Sequence, residues 1–235
     1  MYTNEWHIDS SRININSSFY SKIAMKSFFD VKTIYDDIKK KNSTGNYHVL
    51  EYEMAEDKLD VNMVITCVFS AMAIEAYIND YIASRIGDSE FYDNYDKLSI
   101  ESKFHFAAKF IMKSIIRKDN EYYSLFKKLF KNRNNFVHSK SKSFDIEKLE
   151  KYNKNLDVVD TEGVVSVNIE SLDEKYETSR DAVKAILKIA DYFEDNDKNA
   201  SARFLLDCDF EKWAEQHGEE APDYIKFIYK EFKTK

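Results

Sequence analysis

The sequence predicts an all-α protein: a helical bundle of about five main helices, with a small β-hairpin insertion and a short helical C-terminal tail. The 235 residues include only four glycines and one proline, too few for the many tight turns of a β-sandwich or a Rossmann-type sheet. Charged residues make up 33% and aromatic residues 15%, which is typical of long amphipathic helices with aromatic-rich buried faces. Apolar residues recur at helical spacing through most of the chain.

The periodicity places five main helices over residues 18–41, 54–86, 99–117, 121–132 and 171–195. The second helix is predicted to be central, because small residues around Ala71 leave several of its sides apolar. Gly87 is placed to end it. Ser99 is placed to cap the third helix, and Ser171 with Glu174 forms a capping box that begins the fifth.

Two further segments complete the predicted fold. Two β-branched runs flank a turn containing Gly163 and predict a β-hairpin over about 156–169. Such a hairpin is too small to be a domain, so we assign residues 1–199 to one helical domain that includes it. Residues 200–235 are predicted to be a helical appendage packed on the same domain, with breaks at Gly218 and Pro222.

The composition also indicates where the protein acts. The first residues lack the basic and then apolar pattern of a signal peptide. The most apolar run, residues 61–74, is shorter than the roughly 20 residues that a membrane span needs. Cys67 and Cys208 are too few for a disulfide framework. These features predict a cytoplasmic protein that is not embedded in a membrane.

Several kinds of chemistry have no support in the sequence. There is no glycine-rich phosphate loop and no nucleophile elbow. The five histidines and two cysteines show no zinc-ligand spacing. We therefore predict no cofactor and no histidine- or cysteine-based metal site, although the abundant carboxylates leave magnesium open.

The charge is unevenly distributed. The chain as a whole carries −7, but residues 103–154 contain 14 Lys and Arg against 5 Asp and Glu, a local charge of +9. Such asymmetry can focus an anionic ligand on one face. The alternative is a lysine-rich helix face that is simply solvated.

One short segment contains the candidate catalytic residues. Its sequence is Arg133-Asn134-Asn135-Phe136-Val137-His138. Arg133 points among the apolar positions of its helix, where a charge is costly unless it is paired or faces a cleft. Asn134 and His138 are four residues apart and share a helix face. Arg133 and His138 diverge by about 140° on a straight helix, so the two could bracket one phosphate only through arginine reach, a distorted helix end or a second subunit.

This motif resembles that of the HEPN superfamily, in which an arginine, a polar residue and a histidine follow one another at this spacing. Its position after a long apolar helix with internal polar residues, here 69–79, is also similar. The resemblance implies an α-helical bundle that dimerises, with motifs from two subunits in one cleft, and metal-independent RNA cleavage. It further implies a toxin or phage-defence role, in some members with an antitoxin partner, while other members have lost catalysis.

The resemblance makes Arg133, Asn134 and His138 the expected catalytic residues. Glu75 and Asn79, four apart on the second helix, either line the cleft and orient these residues or hydrogen-bond at a helix packing point. Five lysines flank the motif and suit contacts with backbone phosphates; the alternative for each is a solvated side chain. These are Lys127, Lys128, Lys131, Lys140 and Lys142.

The leading interpretation is therefore an endoribonuclease that cleaves RNA by 2′-OH attack, acts as a homodimer and has an antitoxin or defence-system partner. A second interpretation is a non-catalytic HEPN-like module that binds nucleotides, RNA or protein. The overall acidity mildly favours the second. A third is a purely structural helical protein in which the motif is a coincidence.

Overall fold

A computed structural model describes residues 15–44, 48–138, 158–159, 165–206 and 208–232. Helices contain nearly all of these residues, which confirms the predicted all-α class. The described elements, in chain order, are α1 (Ile15–Thr44), α2 (Val49–Ile86), α3 (Asp88–Asn94), α4 (Ile100–Phe106), a π-helical turn (Ala107–Ile111), α5 (Glu121–Val137), β1 (Val158–Val159), β2 (Val165–Ser166), α6 (Ile169–Asn196), α7 (Ala202–Leu205), α8 (Phe210–His217), a 3₁₀ turn (Gly218–Glu220) and α9 (Asp223–Phe232).

The core lies between α1, α2, α5 and α6, and α2 and α6 each contact the other three of these helices. The sequence produces this arrangement because apolar residues repeat every three or four positions and so occupy one side of each helix. The largest fully buried side chains come from all four helices and include Phe28, Tyr77, Phe126 and Phe193. The ring of Phe193 lies edge-on to that of Tyr77, with 4.9 Å between centroids. Aromatic packing therefore provides much of the core.

Two predicted helix ends are confirmed and one is corrected. Gly87 ends α2 with φ 93°, and the Ser99 side chain accepts a hydrogen bond from the backbone of Ser102 at the start of α4. The cap of α6 is Asn168, whose side chain accepts from the Ser171 backbone. The predicted capping box at Ser171 was therefore wrong by one turn.

The predicted third helix over 99–117 was too long. It changes into the π-helical turn at Ala107 and ends at Ile111. Lys113 then adopts a left-handed conformation with φ 54°, and the Ser114 N–H returns to the Ala108 carbonyl at 2.9 Å. This bond joins residues six apart, one more than the corresponding bond of a Schellman cap, and it follows a π-helical turn; lysine holds the left-handed position that glycine usually takes. Ile115, which continues the apolar pattern of the predicted helix, is 84% exposed.

The count of helices and the hairpin also differ from the prediction. Among the described residues, the long helices are α1, α2, α5 and α6, and short helices such as α3, α4 and α7 add to them. The hairpin expected over 156–169 is reduced to two two-residue strands, β1 and β2, which pair antiparallel; residues 160–164 lie outside the description. The segment after Ser166 does not extend a strand, because Asn168 already caps α6.

The tail contains two helices, α8 and α9, and the segment between them holds the predicted breaks at Gly218 and Pro222. The α9 ring of Phe227 packs 5.3 Å from Phe28 of α1. Glu231 of α9 accepts hydrogen bonds from Arg180 at 2.7 Å and from Tyr176 at 3.1 Å, both on α6. These contacts attach α9 to α1 and α6. The division of the chain into a domain and an appendage at residue 199 remains a prediction.

Helix α2 is more apolar than its 14-residue run suggested. By length and composition alone it could cross a membrane. Core helices of soluble proteins pass the same test, and α2 contacts α1, α5 and α6. Less than half of its most apolar stretch is buried. We therefore interpret α2 as the central helix of the bundle, with one apolar side uncovered.

Candidate active site

The candidate site lies at the C-terminal end of α5. Asn120 caps the start of this helix, with its side chain accepting from the Tyr122 backbone. One side of α5 is buried through Phe126, Leu129 and Phe130, which fixes the rotation of the helix. The opposite side faces outward and carries polar residues of the motif.

Arg133 is held by two polar contacts. Its Nη2 donates to a carboxylate oxygen of Glu75 on α2 at 2.8 Å, and its Nη1 donates to the Asn134 side chain at 3.1 Å. The guanidinium also lies 5.6 Å from the centre of the Phe130 ring. Its side chain is 22% exposed. The predicted need for a partner is met by Glu75, and part of the guanidinium remains accessible to a ligand.

Asn79 lies one turn beyond Glu75 on the same face of α2. Its Oδ1 atom is buried, and no described residue donates a hydrogen bond to it. A buried acceptor without a donor costs roughly 1–3 kcal/mol. A donor from outside the described residues would relieve this cost.

His138 lies just beyond the last residue of α5. Its backbone N–H donates to the Asn134 carbonyl at 2.9 Å, while its φ and ψ of −117° and 51° end the helix. Both His138 and Asn134 are exposed. Among the described residues, none contacts the His138 imidazole through a hydrogen bond or an ion pair.

The structure therefore groups Arg133, Asn134 and Glu75 by direct contact and leaves His138 apart from them. No described hydrogen bond joins the side chains of Arg133 and His138. This agrees with their divergence of about 140° around the helix axis. One chain presents a held arginine and a separate accessible imidazole.

The flanking lysines are less available than expected. Lys127 lies 3.6 Å from Glu101, and Lys128 lies 2.6 Å from Asp181 of α6. Lys131 is exposed and has no ion pair among the described residues. Lys140 and Lys142 lie outside the described residues. The positive face predicted for this region is thus partly neutralised on α5.

A second polar cluster, at the other end of α5, was not predicted. The Tyr123 hydroxyl donates to Glu101 at 2.6 Å and lies 3.4 Å from His105 Nε2. The hydrogen bond from Tyr123 lowers the pKa of Glu101. Burial, followed by the contact with Glu101, raises the pKa of Tyr123 to about 12. The i,i+4 spacing of Glu101 and His105 was a signal for this cluster, but its partner comes from a different helix.

The described part of the chain contains neither a cluster of metal ligands nor a reactive thiol at Cys67. Within those ranges, no group of three or more His, Cys, Asp or Glu side chains could hold a metal ion. Cys67 is fully buried, and burial raises the pKa of its thiol to about 12. It is therefore an inert core residue at neutral pH.

No protein-family model matches the chain, and neither curated proteins nor solved structures give a significant match. The interpretation of the site therefore depends on the motif and on its surroundings in this chain.

Proposed function

We propose that the protein is a metal-independent endoribonuclease of the HEPN type, which cleaves RNA by attack of the 2′-OH. The observation that carries the proposal is the held guanidinium of Arg133, fixed by Glu75 and Asn134, on the helix that ends at the accessible imidazole of His138. We assign it a cytoplasmic toxin or phage-defence role, in which a cognate antitoxin or defence-system partner would control a damaging activity.

The chemistry needs only groups that this motif contains. The ribose 2′-OH attacks the adjacent phosphorus, its proton passes to a base, and the P–O5′ bond breaks as an acid supplies a proton to the leaving oxygen. Imidazole changes protonation near neutral pH and suits either proton transfer. Arg133 stays charged and offers a planar set of donors to phosphate oxygens. The products are a 2′,3′-cyclic phosphate and a 5′-OH.

A second copy of the chain would complete the site. Arg133 and His138 diverge on one helix, whereas a two-fold axis near α5 would bring the arginine of one chain towards the histidine of the other. We therefore propose a homodimer with both motifs close to the axis.

The uncovered side of α2 supports this dimer. A stripe along it, which we call the α2 stripe, alternates steps of four and three residues, as in the seam between two paired helices. Each member is partly or largely exposed. The stripe consists of Val61, Ile65, Val68, Met72, Glu75 and Asn79. It ends at the partner of Arg133 and at the orphaned Asn79 acceptor, so a copy docked here would lie against the site.

Cleavage of end-labelled RNA in the presence of EDTA tests the activity. We expect cyclic-phosphate products, and we expect Arg133→Ala and His138→Ala each to lower the rate by about 10²-fold or more. His48→Ala is the matched control, since His48 is also exposed at a helix end and makes no capping bond. Products ending in 3′-OH, dependence on a metal, or full activity in His138→Ala would contradict the mechanism.

Retained RNA binding with no cleavage would favour the alternative, a non-catalytic HEPN-like module that binds nucleotides, RNA or protein. The direct ion pair between Arg133 and Glu75 favours this alternative, because the carboxylate already neutralises the arginine.

Light scattering on the purified protein tests the dimer. We expect a dimeric mass at micromolar concentration and a monomeric mass for Val68→Asp, because a carboxylate in the α2 stripe would be buried without a partner. Ile115→Asp is the control, since Ile115 is highly exposed but lies outside the stripe. A monomer with full cleavage activity would exclude a site shared between chains.

A further inference from the structure

An open cavity of about 520 Å³ lies on the surface formed by α4 and the π-helical turn. Its lining combines apolar and polar side chains. Those that matter here are Leu98, Glu101, His105, Phe106, Lys109 and Phe110. Cavities of about 300–1,000 Å³ are the size that small ligands occupy in proteins, so a single nucleotide unit fits the available volume.

The π-helical turn shapes this cavity. π-turns are rare and are found frequently at functional sites, because the extra residue in the turn redirects side chains. Phe110 is consequently 63% exposed, although its ring remains 5.5 Å from that of Phe106. Phe110 thus presents an aromatic ring at the surface, where burial against another planar group would be favourable, whereas Phe106 is partly buried and packs on Tyr95 with 4.4 Å between ring centroids.

Glu101 is arranged to accept a further hydrogen bond. The Tyr123 hydroxyl and Lys127 both approach its Oε1 atom, and no described residue is bonded to Oε2. The side chain is 42% exposed. A carboxylate oxygen in this position selects ligands that carry a donor, such as the amino group of cytosine.

Lys109 supplies a positive charge beside the same cavity. It is exposed and lines the rim, its ammonium lies over the Phe110 ring at 5.5 Å from the centroid, and no described carboxylate pairs with it. An aromatic platform with an adjacent lysine is the combination that binds a base together with its backbone phosphate.

We propose that this cavity is a base-binding subsite for single-stranded RNA, which takes one unpaired base with an exocyclic amino group. The base stacks on Phe110, its amino group donates to Glu101, and Lys109 contacts the adjoining phosphate. The inference rests on the proposed RNA-cleaving function and extends it to a subsite distant from the scissile phosphate.

The exposed side of α5 connects the two sites. Lys127, Lys131, Asn134 and His138 follow one another at steps of four, three and four residues, so they lie along one side of the helix. Lys127 borders the cavity through its ion pair with Glu101. From Lys127 to His138 the helix rises about 17 Å, which corresponds to about five nucleotides at the spacing of a stacked strand.

Binding of fluorescently labelled RNA of about ten nucleotides tests the subsite, within the range of 4–16 nucleotides typical of single-strand sites. His138→Ala protein is used as the background, so that binding is measured without cleavage. We expect Phe110→Ala to weaken binding about tenfold through the loss of stacking. Tyr92→Ala is the matched control, because Tyr92 is equally exposed, at 64%, and does not line the cavity.

Two further measurements sharpen the assignment. Lys109→Ala should make the slope of the logarithm of the binding constant against the logarithm of the salt concentration shallower by about 0.7, which is the effect of losing one phosphate contact on a single strand. Lys58→Ala on α2 is the control and should leave this slope unchanged. Oligocytidine should bind more tightly than oligouridine, because uridine presents a carbonyl where cytidine presents an amino group.

The outcomes separate this inference from the proposed function. Equal weakening by Phe110→Ala and Tyr92→Ala, or equal binding of oligocytidine and oligouridine, would overturn the subsite even if the wild-type protein cleaves RNA. Conversely, binding that depends on Phe110 and prefers cytidine would support the subsite even if the wild-type protein proves inactive, in which case only the catalytic proposal fails.

Discussion

The two ends of α5 are built differently. At the N-terminal end, Tyr122 stacks on Tyr192 with 4.6 Å between ring centroids, and its hydroxyl accepts from the Arg117 backbone at 2.8 Å. At the C-terminal end, Asn134 and His138 are exposed and Arg133 makes one ion pair. One helix thus anchors itself in the core with its first turns and presents reactive groups with its last. Substitutions should separate accordingly, with losses of stability at the start and losses of function at the end.

The largest expected effect on stability is at Phe126. Its ring is 1% exposed and lies 4.9 Å from Phe104 and 4.8 Å from Phe130. Phe126→Ala should lower the free energy of unfolding by about 3–5 kcal/mol, because the truncation leaves a cavity. Urea unfolding followed by circular dichroism measures the change. Ser124→Ala, at an exposed position of the same helix, is the control. An equal loss of stability in Ser124→Ala would contradict the assignment of the effect to the buried ring of Phe126.

Tyr123→Phe should have a smaller effect that depends on pH. The variant loses the hydrogen bond to the partly exposed Glu101, which is worth about 1–2 kcal/mol. The pKa of Tyr123 is raised to about 12, so between about pH 10 and pH 12 the folded protein keeps a proton that the unfolded chain releases. This contribution to stability is complete below pH 10 and is lost as the pH rises through 12. The difference in unfolding free energy between wild type and Tyr123→Phe should shrink over that window; a constant difference would contradict the assignment.

The Arg133–Glu75 pair should contribute less again. Both side chains are partly exposed, at 22% and 34%, so solvent screens their attraction. A double-mutant cycle with Arg133→Gln and Glu75→Gln should give a coupling energy of about 0.5–1 kcal/mol. Activity of Glu75→Gln is the decisive companion measurement. A large loss of rate with this small coupling energy would identify Glu75 as a positioning residue for Arg133, whereas wild-type activity would make the pair purely structural.

His138→Ala should have the smallest effect on folding. The imidazole makes no described hydrogen bond or ion pair, so the unfolding free energy should change by less than about 0.5 kcal/mol. Denaturant midpoints for wild type and variant should therefore coincide. A clear destabilisation would show that His138 supports the end of α5, and it would weaken the contrast between the two ends of the helix.

The long helices were predictable because their buried residues recur every three or four positions along the sequence. In α1, the buried residues Ala24, Phe28, Val31 and Ile38 recur at the spacing that the sequence displays. The end of the third predicted helix was not predictable in the same way. Met112, Ile115 and Ile116 continue an apolar pattern, yet the cap at Lys113 ends the helix first. A lysine in a left-handed conformation gives no sequence signal, unlike a glycine.

The candidate site was predictable only in part, for a related reason. The motif is contiguous, so Arg133, Asn134 and His138 could be selected from the sequence, and the buried direction of Arg133 indicated that it needed a partner. The identity of that partner depends on how α2 and α5 pack. The cluster of Glu101, Tyr123 and His105 was missed because it forms across two helices. Likewise, the carboxylates that neutralise Lys127 and Lys128 come from other elements.

The packing of α9 on α1 has a consequence for synthesis on the ribosome. Phe28 and Phe29 of α1 both contact Phe227 of α9, so their aromatic surface is covered by an element that is translated long after them. Contacts between residues so distant in sequence slow folding relative to a bundle closed by local pairs. A nascent chain that has already exposed the 133–138 segment therefore still lacks the contact that Phe227 of α9 makes with these two rings. Chaperone binding to the growing chain should be strongest in this interval and should end once residues 223–232 leave the exit tunnel.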